Sequence, residues 1–186
     1  MVSTGSLKGR LLVATPPLVD ENFDRTVVLL LEHGPEGALG VVLNRPDERP
    51  VGEPLDRWAP FLSEPQVYFG GGPVETDAVI GLGRRRSSDP TELVVEVVDR
   101  VGTVDLSADP LEVVSSLEAL RLFQGYAGWG ARQLEGELRA GAWIVADFSW
   151  HDAFGPDPAD LWREVLRRQG GRTAWLANYP DDVTVN

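Results

Sequence analysis

Three apolar runs open the chain: LLVAT at 11–15, TVVLLLEH at 26–33 and LGVVLN at 39–44. Continuous apolar character with β-branched residues predicts strands covered on both faces, near the middle of a sheet. Pro16 and Pro17 end the first run and Pro46 the third, because proline cannot continue a central ladder. Between the second and third runs, GPEGA supplies Gly34, Pro35 and Gly37, which predicts a β-hairpin with a loop of about five residues. His33 and Glu32 then sit at one strand end, with Asn44 and Arg45 near the far end of the partner.

Further along, EPLDRWAPFL (53–62) predicts a short helix or irregular cover, QVYFGGGPV (66–74) a strand running into glycines, and AVIGLG (78–83) another strand. ELVVEVVD (92–99) and VGTVDLS (101–107) predict a hairpin. The period then changes. Asp109, Pro110 and Glu112 form a helix-start signal, with Leu111, Val113, Val114, Leu117 and Leu120 following at helical spacing. LFQGYAGW (122–129) is extended, ARQLEGELRAG (131–141) a short helix ended by Gly141, and AWIVADF (142–148) a strand. Asp157-Pro158-Ala159-Asp160 starts a last helix, with Leu161, Trp162, Val165 and Leu166 on one side and Gly170 and Gly171 as its stop. Strands first and helices later predict an α+β fold: one domain over 1–186, built on a large, mixed, mostly antiparallel β-sheet, partly barrel-like, flanked by three to four helices.

Composition excludes more than it assigns. At 186 residues, 42% of them apolar, the chain buries a sizeable core. The net charge of −12 opposes direct DNA binding, since most non-specific affinity for nucleic acid is electrostatic. Arg84, Arg85 and Arg86 are the one run of three cations, and Ser87, Ser88, Asp89 and Pro90 after them predict a solvated loop. Cysteine is absent, which removes thiolate chemistry and Cys-ligated metals. MVSTGSLKGR lacks a signal-peptide core and TVVLLL is too short to span a bilayer, so the expected location is cytoplasmic, with no membrane partner.

Candidate chemistry centres on a few motifs. His33 beside Glu32 invites a catalytic or metal role, and a composite set with His151 and Asp152 is the way two histidines 118 positions apart could serve one. A strand-end histidine bonded to neighbouring backbone is the preferred reading, so no metal and no cofactor are expected. No G-x-S-x-G elbow occurs, and GGGPV lacks the Gly-Lys-Ser/Thr of a phosphate loop. Gly71 and Gly72 are therefore read as close packing or an unusual turn. Tyr126, Trp129 and Gln133, in GYAGWGARQLEGEL (125–138), are read as packing ahead of a binding surface.

Taken together, GRLLVATPPLVDENFDRTVVLLLEHGPEGALGVVLNRP, VYFGGGPV and GYAGWGARQLEGEL followed by Trp143 resemble the AlgH/YqgE family of bacterial proteins. The resemblance covers most of the chain. It implies a single α+β domain with a complex sheet and flanking helices, and it carries a family label of transcriptional regulator without supplying catalytic residues. No segment has the helix–turn–helix pattern with a basic recognition face. The favoured function is non-enzymatic: regulation, or binding of an as yet unidentified protein or small molecule. Its site is expected among Glu32, His33, Asn44, Arg45, Gly71, Gly72, Tyr126, Trp129 and Gln133. The alternative is an enzyme at the strand ends, with His33 as general base and Arg45 holding an anionic substrate.

Overall fold

A computed structural model describes residues 5–16, 18 and 20–181. Of the segments read from sequence, Pro17 and the first four residues of MVSTGSLKGR lie outside the described residues.

The two longest apolar runs form β2 (Val27–Gly34) and β3 (Gly37–Val42), which follow β1 (Leu11–Ala14). Val27 to Leu30 are fully buried. The hairpin between β2 and β3 is tighter than its sequence suggests. Gly34 pairs with Gly37, so the ladder closes around Pro35 and Glu36 instead of a five-residue loop. β4 (Pro46–Pro50) was not foreseen. It is an off-path strand paired irregularly with β5 (Val67–Gly70), a position where proline's missing donor is tolerated.

GGGPV leads into β6 (Val74–Arg85), one strand with an irregularity between Val74 and Val79. β7 (Val94–Val98) and β8 (Val101–Val104) form the expected hairpin, turned by Asp99 and Arg100 at φ 48° and 64°, as a two-residue turn matching strand twist requires. The long strand β9 (Leu117–Gly130) is the spine: β6 lies along one edge, β3 and the parallel β5 along the other. With β10 (Trp143–Ala146), the path reads β10-β1-β2-β3-β9-β6-β8-β7. The sheet curls far enough that a Cβ added to Gly9, just before β1, would lie 2.9 Å from Val98 Cβ on β7. The result is a half-barrel, mixed but mostly antiparallel, as the sequence predicts.

Helices flank the sheet as expected, and among the described residues they are short. They are α1 (Pro110–Val114), α2 (Gln133–Arg139), α3 (Trp150–Phe154), α4 (Leu161–Gln169) and α5 (Gly171–Trp175), with 3-10 turns at Asp56–Phe61, Pro158–Asp160 and Leu176–Asn178. The helix predicted through Leu117 and Leu120 stops at Val114. The hydroxyls of Ser115 and Ser116 donate to the carbonyls of Glu112 (2.8 Å) and Val113 (2.7 Å), which competes with helix continuation. Leu117 then pairs with Arg85 on β6. No helix among the described residues is long and apolar enough to cross a membrane.

The reading of Arg84–Arg86 as a solvated loop is corrected. Arg84 and Arg85 end β6, and Arg85 is 5% exposed. Arg84 pairs with Glu118 at 2.7 Å and stacks on Trp150, and Arg85 pairs with Glu96. Only Arg86 keeps an exposed side. Acidic partners from β7 and β9, distant in sequence, turn an apparent basic patch into buried and half-buried ion pairs.

Candidate functional site

β2 carries His33 two residues from the hairpin tip and β3 ends short of Asn44, so register decides whether they meet. His33 pairs with Ala38. Asn44 lies six residues further along, about 20 Å at strand rise. The strand-end residues therefore form two separate sets.

His33 is a locked imidazole. Its side chain is 5% exposed. Nδ1 accepts the backbone N–H of Leu7 at 2.9 Å, which places the proton on Nε2, and that nitrogen donates to Glu135 on α2 at 3.0 Å. A general base needs a free lone pair, and here Leu7 occupies it. The bonding is thus to one backbone group and one carboxylate, the latter absent from the sequence reading. Glu135 is held below the usual carboxylate range, first by its own backbone N–H and then by His33. A depressed carboxylate adds stability above its unfolded value that is lost as pH falls through its folded value, so this contact weakens on acidification.

His33 also anchors a strap. Its carbonyl accepts the Ser6 hydroxyl at 3.0 Å, Lys8 N–H donates to that hydroxyl, and Gly9 N–H donates to Leu30. His33→Phe should therefore speed amide hydrogen exchange at Leu7 at least tenfold while slowly exchanging core amides of β9 change little. Equal acceleration at both would mean that the histidine supports the whole fold rather than the strap.

The remaining residues singled out in the sequence are also engaged. Asn44 Oδ1 accepts Val27 N–H at 3.0 Å and its Nδ2 donates to Arg25 O at 2.8 Å, extending the hairpin ladder by a side chain. Arg45, exposed, donates to Asp24 O. Gly71 and Gly72 thread past β9: a Cβ on Gly71 would lie 2.3 Å from Gly125 O, and one on Gly72 2.2 Å from Tyr126 C. Tyr126 is half-buried against the main core. Trp129 Nε1 and Trp143 Nε1 both donate to Glu137 Oε2, at 2.9 and 2.8 Å, while Gln133 donates to Glu137 Oε1 at 3.0 Å. Phe23 stacks on Trp129 and meets Trp143 edge-on. Glu137 was not singled out from sequence, although its i,i+4 spacing from Gln133 was a signal for it. Glu137→Leu should cost about 2–3 kcal/mol by denaturant unfolding, because two buried indole donors lose their acceptor.

The composite set of Glu32, His33, His151 and Asp152 is not brought together. Glu32 lies 3.9 Å from Lys8, His33 holds Glu135, and Asp152 is bonded to Arg168 and to the Ser149 N–H. His151 is exposed on α3 against Trp150. No group of three or more metal-ligating side chains gathers among the described residues.

One concavity lies beside the strap. It is a solvent-open mouth of about 330 Å³, walled by Leu31, Leu39, Val79, Ile80, Val97 and Leu106. Lys8, Glu32, Thr103 and Asp105 line it as well. Glu32 is the one sequence-chosen residue that lines this mouth. Leu31, Leu39, Ile80 and Val97 also belong to, or pack on, the main core, so the wall is continuous with the rigid interior.

The architecture defines a curled-sheet α+β protein with an apolar mouth and locked polar motifs. The chain belongs to the AlgH-like family, whose model matches residues 11–174. It is 50% identical to a UPF0301 protein of Streptomyces coelicolor, covering all of this chain and 98% of that one. It is 47% identical to a UPF0301 protein of Thermobifida fusca, over 97% and 96% of the two chains. Among solved structures, a Corynebacterium diphtheriae protein superposes with TM-score 0.88 at 31% identity, covering 93% of this chain and 92% of that one. The AlgH protein of Pseudomonas aeruginosa does so with TM-score 0.69 at 29% identity, over 98% and 99%.

Proposed function

We propose that this protein is a non-enzymatic cytoplasmic binding protein whose ligand seats in the mouth of the curled sheet, with any regulatory role exerted through that ligand. One observation carries the reading: the mouth is walled by aliphatic side chains packed on the hydrophobic core, the composition of a ligand pocket. His33, Trp129 and Gln133 support it indirectly, since their polar atoms are bonded within the fold.

The neutral dye Nile red tests it. Its emission should rise on mixing with the protein, and Thr103→Trp, which projects an indole into the mouth, should abolish the rise with the circular dichroism spectrum unchanged. Trp175→Ala, at an exposed indole outside the mouth, should leave the rise intact. Loss with Trp175→Ala, or persistence in Thr103→Trp, would move the site elsewhere.

A further inference from the structure

The charges around the mouth bear on what it accepts. Lys8 supplies one ammonium, and Glu32 and Asp105 supply two carboxylates. Lys8 Nζ stands 3.9 Å from Glu32 Oε1, too far for a hydrogen bond, so that carboxylate keeps its accepting capacity. Asp105 Oδ1 accepts both the N–H and the hydroxyl of Ser107, at 2.9 and 2.6 Å, which holds the carboxyl below its usual range and ionised. The rim is therefore net negative on a chain whose own net charge is −12. Below the rim the walls are aliphatic, and the volume is at the small end of ligand pockets, which span about 300–1,000 Å³.

We propose that the mouth takes a small organic cation: a primary ammonium carried on a compact aliphatic body. This rests on the reading of the mouth as the ligand site. The aliphatic body replaces water against Leu31, Leu39, Ile80 and Val97, while the ammonium stays at the rim, hydrated and facing Glu32 and Asp105. A carboxylate head on the same body would meet two like charges there, with Lys8 already beside Glu32. An alcohol head gains nothing from the rim. The long-range field acts in the same sense, concentrating cations at the opening.

Octylammonium, octanol and octanoate share one aliphatic tail and differ in head charge, and each can be titrated against Nile red bound to the intact protein. At low salt, octylammonium should displace the dye about fivefold more tightly than octanol, and octanoate about fivefold less tightly. Added salt should compress that spread. Glu32→Gln should remove most of the ammonium advantage and leave octanol unchanged, and Lys8→Gln should enlarge the advantage. Equal affinities, or tightest binding of octanoate, would overturn the assignment of a cationic ligand while leaving the mouth as a binding site. Failure of all three to displace the dye would overturn both.

Discussion

Gly125→Ala is expected to destabilise the protein by about 3 kcal/mol or more, enough to lower the melting temperature by roughly 10 °C. Gly125 sits at φ +69°, a region that costs an L-residue about 1–2 kcal/mol. A Cβ there would also stand 2.4 Å from the Gly72 carbonyl oxygen. Neither atom can retreat cheaply, because Gly71 N–H donates to Gln124 O at 2.7 Å and Val42 N–H donates to Gly71 O at 2.9 Å. The glycine run after β5 is thus bonded to both β3 and β9. Gly128→Ala, three residues on, meets nothing closer than 3.7 Å and should fall within about 0.5 kcal/mol of the unmodified protein. Differential scanning calorimetry of the two variants separates a backbone crossing from a general intolerance of this segment to change.

The second large effect is expected at Arg121. This guanidinium, 1% exposed in the middle of β9, bonds backbone carbonyls: Ala153 O at 2.8 Å, Gly155 O at 3.4 Å, and Glu64 O. It also lies 4.2 Å from the Phe69 ring centre. Burial pulls its pKa down to about 10, so it stays charged at neutral pH. Replacing a buried ion pair by apolar residues can be neutral or favourable because both partners go. Here the acceptors are main chain and remain. Arg121→Met should therefore cost about 2–4 kcal/mol in urea unfolding, with relief of charge burial too small to offset the stranded carbonyls. The folded pKa lies below the unfolded one, so the unmodified protein regains part of the charge-burial cost only as pH rises past about 10. The deficit of the variant should be flat through the neutral range. Arg121 ties two separated segments to β9: the residues around Glu64 and the end of α3.

The sheet was legible because apolar runs and turn signals bound its strands. The β2–β3 hairpin follows from two uninterrupted apolar runs around Gly34 and Gly37, and β7–β8 from two valine-rich runs separated by Asp99 and Arg100. What escaped was decided by partners far along the chain. Pro46 reads as a strand terminator until β5 is available to pair with it. Leu117 and Leu120 continue a helical period locally, yet β6 recruits them into a ladder. α3 has a local signal of its own, the capping box formed by Ser149 and Asp152 at its start. Of the candidate site, His33 was placed at a strand end, but its partner Glu135 lies 102 positions away. The mouth was not legible at all. Its walls come from β2, β3, β6, β7 and the segment after β8, and none of them differs in sequence from core.

Methyl-resolved NMR during an octylammonium titration tests most directly whether the mouth is the ligand site. The methyl resonances of Leu31, Leu39, Ile80, Val97 and Leu106 should shift together along one saturating curve, with those of Leu161 and Val165 unmoved. Shifts centred instead on Leu161 and Val165 of α4, or scattered without saturation, would contradict it.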